Sequence, residues 1–419
     1  MRVLWIGGPG LYVPSRQTVG GYNGGGWVAS LQREIMKHED ITLGITFCKD
    51  GEPCKIEQDG VIYYPVPNHV KSKKDKIIDF LKIKDVKRDE VVWSYYKNKF
   101  KAIIADFKPD VIHIFGSELY QDLVALVTGD IPTVLHIQGL LSLSLYIYLP
   151  PGVSRWQYYM SGKGLKGKLY NYQYLAYWYR SVHREKVILK SVSHVIGRTD
   201  WDRQALNVLN PKAVYHYGGE ILRDVFYEDA KRDIPSSPII TTTISAPLYK
   251  GYDVILKVAN ILKNELHVDF QWNVYGNVSH DFIEKHARLS HKDLNINLCG
   301  VASAETLHEA LLGSTLYFHS SYTDNSPNAV CEAQILGLPI VASRVGGTDS
   351  LIDHGKNGFL YPVTDPYMAA YYIKRLIDNK DENIAIGENA RVLALARHDK
   401  RQIVENLLET YHCISSKDK

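Results

Sequence analysis

Short apolar runs alternate with amphipathic stretches along the chain. In the first half the runs are RVLWIGG (2–8), ITLGITF (41–47), VIYYPVP (61–67), DVIHIFG (110–116), PTVLHIQG (132–139), HVIGRT (194–199) and AVYHYGG (213–219). In the second half they are PIITTTIS (238–245), FQWNVYG (270–276), LNINLCG (294–300), TLYFHSS (315–321), PIVASRVGG (339–347) and NGFLYP (357–362). Continuous apolar runs flanked by helical periodicity predict strands buried on both faces, in parallel sheets covered by helices. The polar, proline-bearing segment EDAKRDIPSSP (228–238) reads as a linker between two such units. The expected fold class is therefore α/β. An N-terminal domain spans 1–225 and a C-terminal domain 226–399, and they face each other across a cleft. The helical pattern at 400–414 is expected to pack back on the first domain. Ligands of such sheets bind at the C-terminal strand ends, so the loops after the strands carry the chemistry.

One of those loops is the most informative stretch. In DNSPNAVCEAQILGLPIVAS (324–343), Ser326 followed by Pro327 reads as a hydroxyl N-cap with proline at the first helical position. Asn328 and Glu332 then share one helical face that leans back toward the loop carrying Asp324. Free N–H groups at the helix start suit a phosphate. Two carboxylates beside it suit sugar or ribose hydroxyls. A capped surface helix with ordinary acids is the alternative.

Other candidates lie on the same edges. The loop after the first strand, GGPGLYVPSRQTVGGYNGGGWVASLQREI (7–35), places Gly24-Gly25-Gly26 directly before a helix, where bare backbone can approach a diphosphate. It lacks G-x-G-x-x-G, so a nicotinamide or flavin cofactor is not expected. Lys250, before the amphipathic stretch that follows PIITTTIS, can neutralise a phosphate, although an isolated Lys-Gly by itself reads first as a solvated loop. Asp200 and Asp202 in GRTDWDRQ resemble a D-x-D metal pair. At a strand-to-helix junction, however, they read first as capping and first-turn acids, with Thr199 or Asp200 as the cap. Arg198 should point into the cleft. His113 and His136 lie inside strands and read as core residues. Ser-His-Asp ordering, H-E-x-x-H and G-x-S-x-G are all missing, and no metal site is expected.

Composition narrows the classes. A net charge of +3 over 419 residues does not point to nucleic acid. Five scattered cysteines without metal spacing fit a reducing compartment. The start MRVLWIGGPG enters a strand rather than a signal peptide, and the most apolar run, LLSLSLYIYLPP (140–151), is too short to span a bilayer. A cytoplasmic protein is expected. Two stretches are cationic and aromatic: 71–101 has eleven Lys/Arg against five acids, and 151–190 has eight against one. They suit an anionic membrane surface, or equally solvated helices with aromatic core faces.

From 236 to 362, and more weakly over 1–60 and 108–140, the chain resembles family 4 of the retaining glycosyltransferases (group 1), of the two-domain GT-B fold. The E-x7-E signature appears as Asp324 to Glu332, running into GLPIVAS, VGGTDSLI and GKNGFLYP. The resemblance implies two Rossmann-like domains and a nucleoside diphosphate-sugar donor, UDP- or GDP-linked. Glu332 would then hold the ribose, and Asp324 with Ser326 and Asn328 the sugar and diphosphate. Lys250 would bind the diphosphate, with Gly25 and Gly26 opposite. It implies transfer with retention, no cofactor and no metal. The cationic-aromatic first half favours a glycan or polyprenyl-linked acceptor at the inner membrane face, as in surface polysaccharide assembly. Three positions depart from the pattern: Asp324 is shorter than Glu, Ser245 stands where an arginine is usual, and Gln138 where a histidine is. Arg198 is expected to replace the missing phosphate contact from the other domain. The alternatives are an epimerase or hydrolase on the same fold, or a non-catalytic glycan- or nucleotide-sugar-binding module.

Overall fold

A computed structural model describes residues 1–7, 26–49, 55–82, 85–228, 232–245, 248–278 and 280–416. Gly25 and most of the glycine loop lie outside the described residues.

The first sheet comprises β1 (Arg2–Ile6), β2 (Thr42–Lys49), β3 (Ile56–Gln58), β4 (Val61–Pro67), β5 (Val111–Phe115), β6 (Thr133–His136), β7 (His194–Gly197) and β8 (Val214–Tyr217), in the order β3-β4-β2-β1-β5-β6-β7-β8. All pairings are parallel except β3 with β4. Strand β3 was not expected; it is three residues long and leaves no periodic signal. The second sheet comprises β9 (Ile239–Ile244), β10 (Gln271–Gly276), β11 (Ile296–Gly300), β12 (Leu316–His319), β13 (Ile340–Ser343) and β14 (Phe359–Tyr361), all parallel, in the order β11-β10-β9-β12-β13-β14. The α/β class and the two parallel sheets are as the sequence predicts.

The inner strands of both sheets are buried on both faces, which is why they read as unbroken apolar runs, whereas the edge strands β8 and β11 are largely open to solvent. Val3, Trp5, Val111 and Val134 fill one side of the first sheet, and Leu4, Ile6, Ile112 and Leu135 the other. The helix Lys400–Ser415 covers the first side with Ile403, Val404, Leu407 and Tyr411. The Tyr411 hydroxyl accepts from Trp5 Nε1 at 3.0 Å and lies 2.6 Å from His113 Nδ1. The chain thus starts and finishes on the same sheet, crossing between the sheets at 218–238 and again near His398.

Strand order fixes where a ligand can sit. In the second sheet it reverses between β9 and β12, so the loops after these two strands diverge and leave a crevice. Lys250 follows β9, and Asp324 follows β12. In the first sheet the reversal lies between β1 and β5. Among the described residues no helix is long and apolar enough to cross a membrane.

Candidate functional site

A cavity of about 720 Å³ lies between the two sheets. It is lined by Gly26, Trp27, Gln138 and Arg198 from the first, and by Ser245, Lys250, His319, Ser321, Asp324, Ser326, Asn328 and Glu332 from the second. Every candidate residue among those described reaches this one space; Gly25 cannot be placed. The departures Ser245 and Gln138 line it as well.

The floor is built by two loops tied together. Tyr322 N donates to the Tyr249 carbonyl at 2.7 Å, and Ser320 Oγ to the Lys250 carbonyl at 2.9 Å. Gly251 has φ +79°, and a Cβ there would overlap the Ser320 carbonyl, so only glycine lets the loops meet. Lys250 Nζ consequently donates to Asp324 Oδ2 at 2.7 Å. The same oxygen accepts from Ser321 Oγ at 3.2 Å and lies 3.4 Å from His319 Nε2. Burial pushes the Asp324 carboxyl up, but Lys250 and then His319 outweigh it and hold the group well below its ordinary value. Burial likewise opposes the Lys250 charge, and Asp324 raises its pKa above the ordinary value. At neutral pH the pair is ionised. Behind it, Gly346 (φ +54°) presses on the Asp324 backbone, where any Cβ would collide.

The helix that follows begins one residue later than expected, at Asn328, with Pro327 in the capping position and no side-chain cap. Ser326 is therefore not the N-cap. Its hydroxyl turns the other way and donates to Glu220, a fully buried carboxylate in the segment joining the sheets. The hydroxyl gives its one proton to the charged acceptor, the stronger hydrogen bond open to it, and among the described residues its oxygen accepts from no helix N–H group. The helix start still opens on the cavity at Pro327, Asn328 and Ala329.

Glu332 sits one turn in, 4% exposed. Arg223 grips it as a fork, Nε to Oε1 and Nη2 to Oε2, each at 2.8 Å. Burial raises the Glu332 pKa, and Arg223 offsets that only in part. Sequence reasoning missed Arg223. A lone arginine in an irregular connecting segment has no periodic or motif signal, and only the fold brings it 109 residues back onto Glu332.

Arg198 lines the cavity but is mostly engaged within it. Its Nη2 donates to the Gln138 carbonyl at 3.0 Å, its guanidinium lies 5.1 Å from the Trp27 ring centre, and Nη1 is 3.9 Å from Glu220. Thr199 caps the helix Asp200–Leu209 through a reciprocal pair with Asp202, as one sequence reading has it. Asp202 does more than cap: Asn325 Nδ2 donates to it at 2.9 Å, and Thr199 Oγ1 donates to Asn325 Oδ1 at 2.6 Å. Asp202 is thus part of a joint between the domains, while the Asp200 carboxylate pairs with Arg203 on its own helix. His113 and His136 are core residues, stacked 5.5 Å apart with burial driving both pKa values down.

The two cationic-aromatic stretches divide. Arg180 and Arg184 are buried on Asp89, so they add no surface charge. Tyr148, Tyr158, Tyr174 and Trp178 pack with Tyr249 and Phe282 of the second domain and bridge one side of the cleft. The helix Lys73–Leu81, by contrast, buries none of its residues, and Ile77, Leu81, Trp156 and Leu165 are exposed.

With this geometry in view, the comparisons are specific. Residues 228–393 match the family described as glycosyl transferases group 1. That segment holds Lys250, Asp324 and Glu332. Among curated relatives, the D-inositol 3-phosphate glycosyltransferase of Corynebacterium kroppenstedtii is 30% identical over 148 residues, covering 34% of this chain and 33% of the relative. The N-acetyl-alpha-D-glucosaminyl L-malate synthase of Bacillus anthracis is 27% identical over 115 residues, 27% of this chain and 30% of the relative. The match thus spans about a third of the length of these relatives. Solved structures match over nearly the whole chain. Sucrose-phosphate synthase from Thermosynechococcus elongatus superposes with a TM-score of 0.73 at 15% identity, covering 99% of this chain and 98% of that one. Anabaena HepE in complex with UDP-glucose does so with 0.66 at 15% identity, covering 99% and 100%. The fold is GT-B.

Proposed function

We propose that the chain is a retaining glycosyltransferase of family 4 that moves a sugar from a nucleoside diphosphate-sugar to a glycan or lipid-linked acceptor. The observation that carries this reading is the convergence of Lys250, Asp324, Glu332 and an open helix N-terminus on one cavity between two GT-B domains. The group 1 match over the same residues supports it, as does the UDP-glucose held by HepE on the same fold. Glu332 accepts from ribose hydroxyls, Lys250 and the N–H groups at Asn328 and Ala329 hold the diphosphate, and Asp324 steadies Lys250 and meets the sugar. Gly25 and Gly26 would flank the diphosphate from the first domain. Closing the cleft excludes water, and the cationic groups then stabilise the leaving nucleoside diphosphate.

Asp324 and Glu332 are each engaged by a side-chain cation, Lys250 and Arg223, which disfavours their use as ligands of a divalent ion. We predict that transfer to a lipid-linked glycan acceptor persists in excess chelator and yields product with the donor's anomeric configuration. Strict dependence on Mg²⁺ or Mn²⁺ would contradict this, and donor hydrolysis without transfer would favour the hydrolase alternative.

An acceptor carried on a lipid places the enzyme at the inner face of a membrane, in surface polysaccharide assembly. The exposed helix Lys73–Leu81, with Lys73, Lys74 and Lys76 beside Ile77 and Leu81, is the element suited to anionic headgroups. Vesicles containing phosphatidylglycerol should retain the protein, and a K73E/K74E/K76E variant should lose most of that retention. Equal retention by neutral vesicles, or none by the wild type, would remove the membrane from the account.

A further inference from the structure

We propose that Arg223 is a positioning residue for the donor: it fixes Glu332 as an ionised, oriented acceptor for the ribose hydroxyls. This rests on the donor reading above. Arg223 belongs to neither sheet but to the segment that joins them, and it lines the cavity together with Glu332. Its side chain is only 25% exposed and is itself held in place: the guanidinium lies 4.9 Å from the Phe226 ring centre. On its other flank its Cγ and Cδ lie 3.1 Å from where a Cβ on Gly26 would stand, so the start of the helix Gly26–Ile35 closes against it.

The fork uses one lone pair on each Glu332 oxygen. A carboxylate oxygen has a second, so two ribose hydroxyls can be accepted without displacing the arginine. A guanidinium stays charged at any working pH and grips a carboxylate at two points, which fixes both the plane and the charge of Glu332. Without it, burial favours the neutral acid, a weaker acceptor for the ribose hydroxyls than the carboxylate. Among the described residues, two further titratable groups feel this pair. The Glu305 carboxyl, on the helix Ala304–Leu312, is lowered first by its own backbone N–H and also by Arg223, and Tyr317, on β12, is raised first by burial and also by Glu332. His308 packs on Phe226 at 5.7 Å between ring centres. Neither Glu305 nor Tyr317 supplies a positive charge to replace the arginine.

The test is titration calorimetry of UDP, GDP and ADP against the full chain between pH 5.5 and 9, with wild type, Arg223→Lys, Arg223→Gln, Glu332→Gln and the Arg223→Gln/Glu332→Gln double variant. For the diphosphate that binds the wild type, affinity carries the titration of its own terminal phosphate at about pH 6, so each variant is read as its ratio to wild type at the same pH. Arg223→Gln should weaken binding by about 10- to 100-fold at the acid end and recover in part as pH rises. Arg223→Lys should restore part of the loss. In the double variant the Arg223 substitution should add little to that of Glu332, because its effect runs through the carboxylate. A loss that is the same at every pH, or fully additive in the double variant, would overturn the proposal, as would unchanged affinity. Failure of the wild type to bind any of the three would instead strike the donor reading itself.

Discussion

Lys250 and Arg223 each hold one acid of the cavity, and the two acids answer their burial in opposite ways. Burial raises Asp324, but the Lys250 charge overrides it, so its pKa in the fold is depressed. Its contribution to stability is therefore present above the ordinary aspartate value of about 3.9 and is lost as pH falls below it toward the folded value. Glu332 is raised despite Arg223, so its contribution is present at acid pH and is lost as pH climbs through the raised value. Lys250→Met should consequently destabilise the protein at pH 7 by about 1–3 kcal/mol, since it strands a buried carboxylate. At pH 3 the difference from wild type should shrink, because Asp324 is then free to take up a proton in the variant. Urea denaturation at the two pH values measures both. An equal offset at each would mean that the lysine matters through packing and not through charge.

At the scale of elements, the two domains are joined by an aromatic bridge and a polar joint. Tyr148 and Trp178 lie 6.0 and 6.1 Å from the Tyr249 ring, one residue from Lys250. Trp178→Ala should cost no more than about 3 kcal/mol, because the site is part-buried and can partly collapse. It should also loosen donor binding through the Tyr249 loop, read as a higher donor KM; an unchanged KM would show that the bridge and the Lys250 loop move independently. These elements also mark how far the sequence could be read. Each of the thirteen apolar runs carries a strand; inner strands buried on both faces leave a continuous signature, and the exposed edge strands β8 and β11 still carry β-branched and aromatic residues or apolar alternation. The edge strand β3 is too short to leave one. The helix start at Asn328 was misread by a residue because a hydroxyl before proline looks like a cap; Glu220, more than a hundred residues away, takes that hydroxyl instead. Asp324, Glu332 and Lys250 were legible because glycine, proline and acid spacing around a strand end is a local pattern. Arg223 and the Asp202–Asn325 joint were not, since each acquires its partner only when two distant segments meet; His319 was not because, inside an apolar strand run, nothing local marks it as facing Asp324.

At the scale of the whole molecule, both ends of the chain lie on the first sheet, while the second carries most of the cavity's charged groups. The segment 218–238 and the turn at His398 are the two covalent crossings, and Tyr227 ties them: its hydroxyl donates to the His398 carbonyl at 2.8 Å and accepts from Leu222 N at 3.1 Å. Arg223 lies between those anchors, so the crossing that would guide domain closure also holds the acid proposed to bind the donor. A cavity arranged in this way should recognise the nucleoside diphosphate with one domain and complete the site with the other. Arg198 bears on the second half of that statement. It already contacts Gln138 and Trp27, and if it replaces the phosphate contact missing at Ser245, Arg198→Ala should weaken donor binding without unfolding the chain. The most direct measurement is a panel of nucleoside diphosphate-sugars read by thermal shift on wild type, Glu332→Ala, Lys250→Ala and Arg198→Ala. The account predicts that one donor raises the wild-type melting temperature and that the shift is lost in the first two variants and reduced in the third. No shift with any donor, or a shift that survives Glu332→Ala and Lys250→Ala together, would contradict it.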